Sequence, residues 1–171
     1  GIQAVAAHFR FLDKHDLGVS IENYVATVEI RRPLHNFFDV NLINQIADTY
    51  DELDALASCR AIVLCAQGKN FCAGANFGAS DAGNVQDNSG GELSNSLYLQ
   101  AIRLFRSKKP VVAAVQGAAI GGGLGLAVSA DFRVTCPEGR FSANFTKLGF
   151  HPGFGLTVTL PELIGKQRAS L

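Results

Sequence analysis

Methionine and tryptophan are absent from the 171 residues, position 1 included, and only 18% of the side chains are charged. With methionine missing, a fragment or a trimmed chain is the expectation. Residues 161–171 point the same way, reading as a helix with no glycine or proline stop behind it. An excess of one charge is also lacking. The 15 Lys and Arg balance 15 Asp and Glu, so no net field gathers nucleic acid or an anionic membrane, and neither is expected as a partner. The four cysteines, Cys59, Cys65, Cys72 and Cys136, form no C-x-x-C pair and have no histidine at ligand spacing. They read as reduced thiols rather than a metal site. His8, Arg10, Asp13 and Lys14 interrupt any early apolar run, so no secretory signal is read and a cytoplasmic location is expected.

What is present is core-forming material, with 47% hydrophobic residues. Residues 111–130 carry no charge and are long enough for a membrane span. Gly117, Gly121, Gly122, Gly123 and Gly125 argue otherwise, because each costs about 1 kcal/mol inside a helix. A strand, a turn and a helix beginning within the glycine run place each residue naturally, and no membrane partner is expected.

Along the chain, residues 18–30 alternate and predict one or two strands. Asp39 caps a helix whose apolar face is Leu42, Ile46, Tyr50, Leu53 and Leu56. Residues 61–65 (AIVLC) read as a strand buried on both faces. Residues 78–92, rich in Gly, Asn, Asp and Ser, predict a mobile surface loop. A second helix presents Leu97, Ala101, Leu104 and Phe105 and ends at Lys108, Lys109 and Pro110. A strand over 111–115, a helix through about Ser129 and a strand over 132–136 complete an α/β pattern, read as one domain over 1–171.

Two glycine-containing turns follow buried strands: Asn70 to Asn76 (NFCAGAN) after AIVLC, and Gly117 to Gly123 (GAAIGGG) after VVAAV. Small residues there let a ligand approach the backbone, and two such turns side by side can hold one developing oxyanion between a pair of N–H donors. The glycines equally permit tight turns and close packing, and either turn alone says no more than that. Arg31, Arg32 and Lys69 stand near enough in sequence to meet phosphates. The run is not a G-x-G-x-x-G dinucleotide turn, and no phosphate-binding G-x-x-x-x-G-K-[ST] is present.

In order and spacing the two turns resemble the crotonase family of enoyl-CoA hydratases and isomerases. The likeness extends over YVATVEIRRP, FCAGAN, KKPVVAAVQGAAIGGGLGLAVSADFRV and GRFSANFTKLGFHPGFGLTVTLPELIG. It implies a spiral of β-β-α turns, a C-terminal helical region that is missing here, and a homotrimer or dimer of trimers. It assigns the oxyanion N–H groups to Ala75 and Gly122. Substrate binding falls on Ala73, Asn76, Phe77, Gly78, Gly121 and, at the CoA entrance, His35. The substrate is an acyl-CoA thioester, with CoA as part of it and no separate cofactor. Hydratases of the family carry two glutamates where this chain has Gly125 and Phe145, and a dehalogenase aspartate where it has Gly153. His151 is then the candidate acid or base. Ser142 with His151 lacks a G-x-S-x-G elbow, so a serine hydrolase is not supported, and zero net charge disfavours an RNA-binding member. Phe145, Phe150 and Phe154 suit an aromatic-lined pocket or plain core. The expected activity is enolate stabilisation in a hydratase- or isomerase-type enzyme. The alternatives are an isomerase, lyase, decarboxylase or thioester hydrolase with other acid and base groups, or a non-catalytic acyl-CoA binder.

Overall fold

The computed structural model describes residues 14–32, 34–75 and 92–171. Strands β1 (Leu17–Glu22) and β2 (Val25–Ile30) form an antiparallel hairpin. Its two-residue loop, Asn23 and Tyr24, has both φ values positive, the conformation whose twist matches paired strands. Strands β3 (Ala61–Ala66), β4 (Val111–Val115) and β6 (Phe132–Thr135) then add in parallel, giving the order β1-β2-β3-β4-β6. A second, two-stranded sheet pairs β5 (Ala118–Ile120) with β7 (Arg140–Ser142).

Helix α1 (Val40–Ala55) begins where expected, with the Asp39 carboxylate accepting from the Leu42 N–H. Its buried face is Leu42, Ile43, Ile46, Ala47, Thr49, Tyr50 and Leu53. The Lys109 ammonium donates to the Leu53 and Leu56 carbonyls, closing the helix end where backbone acceptors have no intrahelical partner. Helix α2 (Glu92–Leu104) packs beside it, with Ala101 and Leu104 buried and Arg103 paired to Asp48 and Asp51.

Several expectations change. Phe105 lies beyond the end of α2 and is 43% exposed, so it is not part of the apolar face. Strand β3 alternates, with Ile62, Leu64 and Ala66 buried and the intervening residues half-buried, so only one of its faces is fully enclosed. The loop read at 78–92 lies outside the described residues except for Glu92, which opens α2. The helix read at 161–171 starts earlier. Helix α4 (Leu156–Ile164) is launched by Gly155 in a left-handed conformation and takes Pro161 into its interior, and Gly165 separates it from α5 (Lys166–Ala169). Inside α4, Pro161 removes the N–H that would reach back to Thr157.

The uncharged run 111–130 is divided among β4, β5 and a short helix α3 (Gly122–Val128), and no described helix is long and apolar enough to cross a membrane. All four cysteines are unpaired. The main core lies between α1 and the large sheet, and a smaller cluster of Leu124, Val128 and Leu156 joins α3 to α4.

Candidate functional site

Strands β2, β3 and β4 run parallel and release their chains at the same end of the sheet, the end at which open α/β sheets hold ligands. Three segments leave there: 31–38, 67–75 and 116–123. Backbone hydrogen bonds knit them. Cys72 N–H donates to Ala118 O at 2.9 Å, and Ile120 N–H returns to Cys72 O at 3.0 Å. Ala73 N–H donates to His35 O, and Phe38 N–H to Gly74 O, both at 3.0 Å. Phe38 stands in bridge register with Ala75, and Cys72 with Ala119. The two glycine turns are thus docked on each other rather than merely near in sequence.

Glycine makes that docking possible. A Cβ on Gly123 would stand 2.1 Å from Cys72 O, and one on Gly74, whose φ is +87°, would stand 2.8 Å from Ile120 O. Gly121 caps α3 and donates its N–H to Ser142 O, which ties the turn to β7. Gly122 is the first residue of α3, so its N–H has no intrahelical acceptor. Among the described residues neither the Gly122 nor the Ala75 N–H has an acceptor, and these are the two amides to which the oxyanion role was assigned.

The surroundings of α3 are aromatic. Phe38 lies against Gly122, Phe154 against Gly125, and Phe145 with Asn144 beside Gly121. Phe38 and Phe154 meet edge to face at 6.0 Å between ring centres, and Phe154 holds a left-handed φ of 56°. The atoms nearest these glycines include no carboxylate and no imidazole. His151 is exposed. The Cys72 thiol, fully buried, is pushed up to about 12 by that burial and stays a neutral packing group.

Of the other candidates, His35 is exposed, lies tilted against the Phe37 ring with 5.1 Å between ring centres and stands 3.3 Å from Asn70 Nδ2. Ala73 is half-buried at the base of the turn, whereas Asn76, Phe77 and Gly78 lie outside the described residues. Arg32 is committed to Asp16 and Asp39, and Arg31 pairs with Glu29, while Lys69 is exposed. Asp131 exchanges hydrogen bonds with the Val111 backbone, the structural role read for it.

Sequence reasoning missed Asn36, Gln116 and Tyr98. The Gln116 amide donates to Ala66 O and Gly68 O, and the Tyr98 hydroxyl of α2 reaches Gly153. Asn36 is buried, with its side chain bonded to the backbone of both neighbouring segments. Such partners are distant in sequence, so no local pattern announces them; the one available signal was an asparagine closing the turn after Pro33, a position open to left-handed backbone.

The model of the family described as enoyl-CoA hydratase/isomerase matches residues 20–171. The chain is 36% identical over 152 residues to the probable enoyl-CoA hydratase EchA14 of Mycobacterium tuberculosis, covering 88% of this chain and 59% of that protein. It is 29% identical over 155 residues to a probable enoyl-CoA hydratase of Bacillus subtilis, covering 90% and 59%. Among solved structures, an enoyl-CoA hydratase from Shewanella pealeana superposes with a TM-score of 0.84 at 28% identity, covering 95% of this chain and 63% of that one. An enoyl-CoA hydratase/isomerase from Pseudoalteromonas atlantica gives 0.77 at 29%, covering 91% and 60%. The chain therefore spans about three fifths of the length of these relatives.

Proposed function

Because the chain belongs to the enoyl-CoA hydratase/isomerase family and has the α/β crotonase fold, we propose that it is an acyl-CoA enzyme whose Ala75 and Gly122 amides polarise a thioester carbonyl. The observation that carries this reading is the docking of the two turns, with both of those N–H groups lacking an acceptor among the described residues. A thioester oxygen placed between them gains negative charge as the α-carbon loses a proton. Fixed backbone donors favour that enolate more than the neutral ground state, which is what lowers a barrier. CoA enters as part of the substrate and not as a resident cofactor. Ala73, Gly121 and His35, with Asn76, Phe77 and Gly78, are the proposed substrate contacts.

The reaction that follows enolate formation is assigned away from simple hydration. Water addition needs two titratable groups over the reacting bond, and the ground beside Gly121, Gly122 and Gly125 is held by Phe145, Phe38 and Phe154. An isomerase, lyase, decarboxylase or thioester hydrolase whose acid and base groups stand elsewhere is compatible with that apolar wall. His151 is proposed as the acid or base: the segment 145–154 touches Gly121 through Phe145 and Gly125 through Phe154, and its other ionisable group is Lys147. The same aromatic surroundings favour, as a second reading, a protein that binds acyl-CoA without turning it over.

A homotrimer or dimer of trimers is proposed for the assembly, in keeping with the exposed apolar side chains Phe132, Val134, Phe141, Leu148 and Val158. Four unpaired thiols suit the cytoplasm. The deciding experiment offers the protein a panel of enoyl-CoA and acyl-CoA thioesters and follows the enoyl absorbance. Turnover of any thioester supports the enzyme, binding without turnover supports the second reading, and neither binding nor turnover sinks both.

A further inference from the structure

Asn36 is 1% exposed, yet it sits in a loop between two strand-borne segments and holds a left-handed φ of 49°. Its side chain uses three of its hydrogen-bonding positions on backbone. Oδ1 accepts from Arg32 N–H at 3.0 Å, and Nδ2 donates to Gln67 O and Asn70 O, each at 2.8 Å. Its own N–H donates to Arg32 O at 2.9 Å. One buried amide therefore fastens the segment after β2 to the segment after β3. The consequence reaches the site at once: the residue before Asn36 accepts from Ala73 N–H, and Phe38, two residues after it, donates its N–H to the Gly74 carbonyl, pairs with Ala75 and covers Gly122.

We propose that Asn36 is a positioning residue, whose amide sets the Ala75 N–H against the Gly122 N–H by locking the 31–38 and 67–75 segments together. This rests on the oxyanion assignment made above. It acts through backbone and touches no substrate. Only a side chain that both donates twice and accepts can do this, and aspartate, of the same size, presents lone pairs to two carbonyl oxygens instead.

The test uses sorboyl-CoA, a linear conjugated thioester whose absorption moves to longer wavelength when hydrogen bonds draw charge onto its carbonyl oxygen. The native protein is expected to shift the bound spectrum to the red. Asn36→Asp, checked by circular dichroism and thermal unfolding, is expected to lose most of that shift while retaining its affinity for the desacyl CoA. Asn36→Gly keeps the left-handed backbone without strain and admits water to the freed carbonyls. It is the variant to read where the aspartate protein does not fold, with the same loss expected. A native protein that binds sorboyl-CoA with no red shift overturns the oxyanion assignment itself. A native red shift that persists at full size in a folded Asn36 variant leaves that assignment standing and overturns the role of Asn36.

Discussion

The ring of Phe38 rests on the Cα of Gly122, so closely that a Cβ there would come within 2.2 Å of two ring carbons. The same Phe38 pairs through its backbone with Ala75. One residue thus gauges the distance between the two proposed oxyanion donors, by main chain on one side and by side chain on the other.

Gly122→Ala is therefore expected to destabilise by about 1–3 kcal/mol through overpacking. Phe38→Leu in the same chain should recover part of that loss. Denaturant unfolding of the two single variants and the double variant measures the coupling; strictly additive effects would contradict the contact.

Hydration of crotonyl-CoA should be slow or undetectable, since Gly125 and Phe145 cannot titrate and Phe154 Cβ already stands 2.5 Å from where a Cβ on Gly125 would lie. For the same reason Gly125→Glu alone should unfold at lower temperature than the native chain. Joined to Phe154→Ala it should be better tolerated. Brisk hydration by the native protein, followed at the enoyl band, would count against the aromatic wall.

His151→Ala is expected to lower kcat on the best thioester by the order of 10²-fold typical of a lost general acid or base, with KM little changed. Unchanged turnover would reduce His151 to an exposed turn residue.

Much of the scaffold was legible because its signals are local. Asp39 caps, and Leu42, Ile46, Tyr50 and Leu53 recur at helical spacing and are buried as a face. The docked turns were legible as small-residue runs after strands. The pairing of β5 with β7 was not, because three-residue strands carry no period, and Phe105 failed since α2 stops one residue before it. The clamps made by Asn36 and Gln116 join residues tens of positions apart, where only the folded chain brings partners together.

Asp16 links stability to pH. Burial by itself raises its carboxyl, but hydrogen bonds from Arg32, Gln45 and His15 outweigh that and bring it from 3.8 to about 2. The unfolded chain then binds more protons than the folded one across that interval, so stability rises with pH. The contribution, at most about 2 kcal/mol, should be complete above pH 4 and vanish as pH falls through about 2. Asp16→Asn should flatten the acid limb of unfolding free energy against pH, and an unaltered limb would refute the assignment.

Tyr50 offers the opposite case. It is buried in α1, and its hydroxyl has no partner among the described residues. Removing an unsatisfied buried hydroxyl relieves a desolvation cost, so Tyr50→Phe should leave stability unchanged or raise it by up to about 1 kcal/mol in urea unfolding. A clear loss would reveal a partner for that oxygen.

The large sheet takes its strands in the order in which the chain supplies them, β1, β2, β3, β4 and β6. A growing polypeptide can accordingly build it from one side, each new strand meeting a neighbour that already stands, and no strand of it waits for residues still to be synthesised. The exception is β5, which finds its partner only after β7 emerges. The proposed oxyanion turns flank β5, so in such an assembly their tie to β7 is made only by residues that follow the last strand of the large sheet.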